Sequence, residues 1–374
     1  MPAANRSTTS SASEGRIVSH FHTLTVREIR RETHDSVSLL LEVPANLTDG
    51  YRFQPGQYLT LRQNIDGADV RRSYSICSAP EDGELRVAIK KVPGGAFSSF
   101  ANHTLKPGDS IDVMPPEGRF TPRAQVAGPG RHCLGVAAGS GITPILSIMK
   151  TVLALHPDNR FTLIYGNRTA ANTMFIEAIE DLKNRFLGRL SVVYVFSKEH
   201  QDIQWVNGRI DAEKIGLLAE KLVDIAELDE AFICGPLEMT EAVRPALVTR
   251  GLAADHIRSE LFSTAGAQPK LAVAAADRPV GDVTVEVRLD GRTTQFALEA
   301  GEVGVLNAAA RAGLDLPSSC QGGMCCTCRA QLVEGEAEMA LNYSLEQWEV
   351  DAGYILACQC LPKSKKLVLD FDTA

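Results

Sequence analysis

Nowhere in its 374 residues does this chain carry an apolar run approaching the roughly 20 residues that a membrane-spanning helix needs. No membrane is therefore expected as a partner. Residues 1–16 are rich in Ser, Thr and Ala and have no apolar core segment, so they read as a disordered tail and not as a secretory signal. Basic charge is also short. Lys and Arg number 38 against 46 Asp and Glu, and the net charge of −8 argues against nucleic acid as a partner. The nine cysteines are an odd number with no export signal, which points to thiols kept reduced in the cytoplasm. Length predicts two or three domains of ordinary globular composition.

What is present is cysteine in a pattern. Cys320-Gln-Gly-Gly-Met-Cys325-Cys326-Thr-Cys328 reads C-x4-C-x2-C, and Cys358 follows after 29 more residues. That is the plant-type spacing for a 2Fe–2S cluster on four thiolates. Two irons bridged by sulfides need two thiolates each, so a short loop supplies three and a distant segment brings the fourth. Gly322 and Gly323 let backbone amides approach sulfur where no side chain intervenes. A zinc site would favour two C-x2-C knuckles, and Cys358-Gln-Cys360 makes a poor second one. A disulfide framework would need an oxidising compartment.

From residue 17 to 126 short strands alternate with turns such as Pro55-Gly56, Asp66-Gly67 and Pro107-Gly108, which suits an antiparallel barrel. Within it lie Arg72-Ser73-Tyr74-Ser75 and a later Gly94-Gly95-Ala-Phe-Ser98. The two motifs together resemble the flavin-binding barrel of the ferredoxin–NADP reductase superfamily, with its R-x-Y-S and G-x-x-S. The resemblance implies that Arg72 pairs with the flavin phosphate, Tyr74 stacks on the isoalloxazine and Ser75 bonds near the reactive ring nitrogen. Gly94, Gly95 and Ser98 would open a helix toward the pyrophosphate. The segment after Ser98, through residue 109, matches relatives that bind FAD instead of FMN.

Residues 127–263 change character. The apolar run His132-Cys-Leu-Gly-Val-Ala-Ala138 reads as a buried parallel strand, closed by Gly139-Ser-Gly141-Ile-Thr143-Pro144 and then a helical period. Strand, glycine turn and helix together present amides to a pyrophosphate. The ending Thr143-Pro144 departs from G-x-G-x-x-G and resembles the same superfamily. Further strands and helices alternate, which predicts a doubly wound parallel sheet with ligands at strand C-termini. Cys234-Gly235-Pro236 sits at such a terminus, where the superfamily places its nicotinamide-side cysteine; free cysteine is also a common buried residue. Arg168 follows the second strand with no acidic residue immediately after it, which favours a 2′-phosphate and hence NADPH over NADH. Ser259-Glu260-Leu261-Phe262 resembles the E-x-F ending that sets an aromatic, here Phe262, near the flavin. By this resemblance Thr143 and Cys234 hold the nicotinamide, and Ser75 stands at the flavin acceptor atom.

Residues 264–281 are rich in Ala, Gly and Pro and read as a linker. Residues 282–374 begin with a hairpin turned at Asp290-Gly291, continue into a helix, and reach the cysteine loop. That order resembles the β-grasp domain of plant-type ferredoxins, and by the same likeness Cys358, with Pro362 after it, is the fourth ligand and Cys326 a bystander. Residues 281–374 hold 14 acidic against 7 basic residues, a charge of −7, which suits solubility or steering toward a basic partner.

Flavin, nicotinamide and ferredoxin domains in this order are similar to the reductase components of bacterial oxygenases. The stretches quoted look most like reductases of phenylacetyl-CoA epoxidases, and those of Rieske-type 3-ketosteroid 9α-hydroxylases share the architecture. The resemblance implies an oxidoreductase that passes electrons from NADPH through FAD and a 2Fe–2S cluster to a diiron oxygenase. No further cluster of polar groups for an organic substrate is seen.

Overall fold

The computed structural model describes residues 21–123, 128–262, 282–300, 302 and 304–373. The expected tail at 1–16 and linker at 264–281 lie outside the described residues. Among the described residues no helix is long and apolar enough to cross a membrane.

The first unit is built from β1 (His22–Thr33), β2 (Ser36–Glu42), β3 (Tyr58–Ile65), β4 (Ala68–Ser75), β5 (Leu85–Lys90), helix α1 (Ala96–His103) and β6 (Ser110–Val113). The strands pair in the order β4-β3-β6-β1-β2-β5. Ile76, just past β4, bridges to Val87 of β5 and closes the ring. Closure explains why so polar a set of strands is stable: inward positions such as Leu39, Leu59, Leu61, Val87 and Ile89 are wholly buried, while outward ones meet solvent.

The second unit holds β7 (His132–Ala138), α2 (Ile142–Leu155), β8 (Arg160–Asn167), α3 (Ile176–Arg185), β9 (Leu190–Phe196), α4 (Ala212–Leu222), β10 (Glu230–Gly235), α5 (Leu237–Thr249) and β11 (Ile257–Leu261). All pairs are parallel, in the order β11-β10-β7-β8-β9. The order reverses between β7 and β10, so a crevice opens there at the strand C-termini. Helix α2 is buried nearly all round because the sheet lies on one side and the barrel on the other. One apolar cluster runs through both units, joining Cys77, Ala88 and Phe120 of the barrel side to α2, α3 and Phe232 of β10. Phe120 and Phe232 meet edge to face at 5.8 Å.

The C-terminal unit holds β12 (Val283–Leu289), β13 (Arg292–Leu298), α6 (Val305–Arg311), β14 (Arg329–Glu334), β15 (Ala337–Met339), α7 (Gln347–Asp351), β16 (Tyr354–Leu356), β17 (Cys360–Pro362) and β18 (Lys366–Asp370). Its main sheet runs β13-β12-β18-β14-β16, with β12 and β18 parallel and the others antiparallel. Its apolar cluster is made of its own residues alone, from Val283 to Phe371. The expected barrel, doubly wound sheet and grasp-like sheet are all present. Helix α6 ends at Arg311, and Gly313 follows two residues later with φ +80°.

Candidate functional site

The cysteine loop spans residues 320–328, between α6 and β14. Its sulfurs stand as two pairs, Cys320 against Cys325 and Cys328 against Cys358. Two thiolates apiece is what two sulfide-bridged irons require, and among the described residues no three metal-ligating side chains gather round one point. Backbone amides of Gly322 and Met324 donate to Cys320 Sγ, each at 3.4 Å, and that of Cys358 donates to Cys328 Sγ at 3.4 Å. Gly323 takes φ +75°, and a Cβ there would press on the Leu341 carbonyl at 2.9 Å, so glycine is required where the loop folds back. Cys326, at φ +58°, lies against Ser344 and joins neither pair. Cys360 sits on β17, fully buried among the sheet's apolar residues. The cradle fits a 2Fe–2S cluster.

At the crevice, three side chains from two units converge. Ser75 ends β4, and its Oγ donates to Glu260 Oε2 at 3.3 Å. Glu260, on β11, stands in register with Cys234 on β10. Burial raises the Glu260 carboxyl to about 8, against the Ser75 hydrogen bond, which pulls it down. At neutral pH it therefore holds a proton. Cys234 is fully buried, and burial first, then the neighbouring Glu260, pushes its thiol well above the ordinary range. Gly141 closes this crevice from the other side, because any Cβ would overlap the Cys234 carbonyl.

Tyr74 lies half-buried with its ring 5.6 Å from that of Phe97 on α1, and Arg72 is exposed beside it. Gly94 adopts φ +74° and Gly95 caps α1. The Ser98 hydroxyl is turned inward: it accepts from the Val92 amide at 3.1 Å and donates to the Gly95 carbonyl at 3.2 Å, so it shapes the turn. Thr143 behaves likewise, donating to the Ser140 carbonyl at 3.0 Å from a buried position. Gly139 and Pro144 flank that loop, with Gly139 at φ +54° and Pro144 in the first turn of α2, where its missing N–H costs nothing. Gly235 and Pro236 lead into α5, Pro236 at its N-cap. Arg168 is exposed just beyond β8, and its carbonyl accepts from the amide of Lys198, itself just past β9. Phe262 packs partly buried against the core shared by the two units.

Three family models match the chain in order: an oxidoreductase FAD-binding domain over residues 23–121, an oxidoreductase NAD-binding domain over 136–245, and a 2Fe-2S iron-sulfur cluster binding domain over 287–363. The chain is 43% identical over 352 residues to a subunit of the 1,2-phenylacetyl-CoA epoxidase of Escherichia coli (strain K12), covering 94% of this chain and 98% of that protein. The chain belongs to the family of oxygenase reductase components. The ferredoxin reductase component of 3-ketosteroid-9-alpha-monooxygenase from Rhodococcus rhodochrous is 32% identical to this reductase, over 93% of the chain and 96% of that component. Among solved structures, phthalate dioxygenase reductase shares the fold at TM-score 0.56, with 23% identity over 94% of this chain and 98% of that one. The reductase is thus an electron-transfer oxidoreductase with FAD, nicotinamide and 2Fe–2S domains.

One residue of this reductase went unread in the sequence. Glu260 was visible within Ser259-Glu260-Leu261-Phe262, but its meeting with Ser75 depends on a contact between residues 185 positions apart.

Proposed function

We propose that this reductase draws electrons from NADPH and delivers them to a diiron oxygenase that epoxidises phenylacetyl-CoA. The observation that carries the reading is end-to-end identity of 43% with a subunit of such an epoxidase, at 98% coverage of the relative. When bound, flavin accepts the nicotinamide's electron pair together and the iron–sulfur cluster takes electrons singly, which is the conversion an iron oxygenase requires.

The residues have these roles in the proposal. Tyr74 stacks on the flavin ring, Arg72 pairs with its phosphate, and Gly94, Gly95 and Ser98 shape the turn whose amides meet the pyrophosphate. Gly139, Gly141, Thr143 and Pro144 shape the coenzyme loop, and Cys234, Gly235, Pro236 and Phe262 wall the nicotinamide side. Ser75 donates at the flavin acceptor atom, and Glu260 holds a proton at the far side of the Ser75 hydroxyl. Arg168, with Lys198 beside it, supplies positive charge at the end of β8, which supports a 2′-phosphate and so NADPH. Cys320, Cys325, Cys328 and Cys358 hold the irons. The acidic surface of residues 282–374 meets the oxygenase. Nine cysteines, none of them in a disulfide, support a cytoplasmic setting.

The test is to purify the tagged protein gently from cells grown on phenylacetate and identify what accompanies it. A helical subunit with paired Glu-x-x-His motifs, active on phenylacetyl-CoA with NADPH, is the expected result. Recovery of a Rieske-type oxygenase would instead move the substrate to the ketosteroid class.

A further inference from the structure

The C-terminal unit rests on the barrel without sharing its apolar core, and the centre of that contact is made of hydroxyl groups. Tyr58 Oη shares a hydrogen bond with Thr327 Oγ1 at 3.0 Å, and Thr60 Oγ1 approaches the same oxygen at 3.4 Å. Thr60 also meets Ser73 Oγ at 3.3 Å, and Ser73 donates to Ser319 Oγ at 2.9 Å. The result is a continuous chain of five hydroxyls. Tyr58, Thr60, Ser319 and Thr327 are each no more than 6% exposed.

The placement on both sides is specific. Ser319 immediately precedes Cys320, and the Thr327 hydroxyl bonds Cys325, so the two hydroxyls of the loop stand at the Cys320–Cys325 pair. On the barrel, Thr60 lies opposite Ser73 and Tyr58 opposite Ser75 in the β3–β4 register. The chain therefore runs from the strand that carries Tyr74 and Ser75 to both halves of the cysteine loop. Charged groups also lie at this contact: Tyr58 Oη donates to Glu117 Oε2 at 3.4 Å, and Glu349 is buried. Asp315 reaches Arg71 at 2.8 Å and Arg62 at 3.5 Å on one side, and Glu349 of α7 pairs with Arg119 on the other.

Burying neutral hydroxyls against one another adds little net stability, because each gave up bonds to water. An apolar patch of equal size would hold more strongly. What a satisfied hydroxyl chain does supply is a single registered geometry, since any slip leaves buried polar atoms unpaired.

We propose that the Tyr58–Thr327–Thr60–Ser73–Ser319 chain is the latch that registers the cysteine loop against the flavin barrel for internal electron transfer. The proposal rests on the reading of this chain as a flavin and iron–sulfur reductase. With both groups bound, each passage would move one electron from flavin to cluster, and no covalent bond would form or break. The five residues act by positioning, and of them Thr327 also bonds the Cys325 side chain.

The test uses the full-length holoprotein, comparing wild type with Tyr58→Phe, which leaves every residue of the cysteine loop in place, and with Tyr58→Phe/Thr327→Val. Both keep side-chain shape, and iron content is measured first. Two readouts follow anaerobic mixing with NADPH: flavin bleaching by stopped flow, and the paramagnetic reduced cluster by freeze-quench. A third is hydrogen exchange at amides of residues 58–61 and 315–320. The expected result is flavin bleaching at the wild-type rate, slower appearance of reduced cluster, and interface exchange faster by about fivefold for each hydroxyl bond removed. Cluster reduction or interface exchange unchanged in the double variant, with iron retained, overturns the latch. Wild-type protein whose cluster NADPH never reduces would instead overturn the reductase reading itself, so the two failures are distinguishable.

Discussion

The barrel's two interfaces with its neighbouring units are made of different materials. Barrel and nucleotide unit are fused through one apolar core that includes Phe120, Ile145, Met149 and Phe232. Barrel and C-terminal unit meet through hydroxyls and ion pairs, each keeping its own core. The difference follows the chemistry on each side. Hydride transfer needs its reacting atoms aligned at roughly 3–3.5 Å, and Ser75 comes from one unit while Cys234 and Glu260 come from the other. Only a welded core holds such a seam. A single electron needs proximity and no bond alignment, so a registered but lighter contact is enough.

Cluster removal gives the largest expected effect. Cys328→Ser should abolish the reduced-cluster signal and delivery to any iron acceptor, while ferricyanide reduction by NADPH, drawn from the flavin side, persists. Cys326→Ser should keep full iron content. Loss of flavin reduction in Cys328→Ser would break the claim that the halves are separable. Phe232→Ala strikes the welded interface and should cost about 3–5 kcal/mol, as for other buried aromatics. Calorimetry should show barrel and nucleotide unit melting together at lower temperature, with the C-terminal transition unmoved.

Glu260→Gln probes the seam and should slow flavin reduction roughly tenfold. Wild-type reduction should fall as pH climbs past about 8, where the carboxyl loses its proton, and the Gln variant should be flat there. Stability carries the same sign. The unfolded chain releases this proton near 4.5 and the folded one near 8, so wild-type stability falls as pH rises between them, and the variant lacks that slope. Arg168→Ala, at the edge of the crevice, should produce the smallest change. Its KM for NADPH should rise roughly tenfold, the worth of one charged hydrogen bond, with NADH kinetics unaltered. A preference for NADH in the wild type would remove the 2′-phosphate assignment.

The cluster domain was legible because its signal is local: nine consecutive residues carry three of the four proposed ligands. The three folds were legible for a similar reason, since strand alternation and glycine turns are short-range. Ser98 and Thr143 were named from their motifs, but a motif does not say which way a hydroxyl points, and both point into their own loops. Glu260 and the five-hydroxyl chain could not be read at all, because each rests on contacts across 185 to 269 residues. Strand pairing and domain docking decide those, and no sequence window contains them.

The C-terminal contact combines hydroxyl–hydroxyl bonds with ion pairs of unequal exposure, and this has a consequence in solution. Exposed pairs such as Asp315 with Arg62 and Arg71 weaken as dissolved ions screen them, with a Debye length of about 8 Å at physiological ionic strength. The hydroxyl–hydroxyl bonds carry no net charge, and a buried group such as Glu349 is screened far less than an exposed pair. Salt should therefore loosen the edges of the contact and leave its registration in place, so the internal step should be far less sensitive to ionic strength than any encounter steered by the acidic surface.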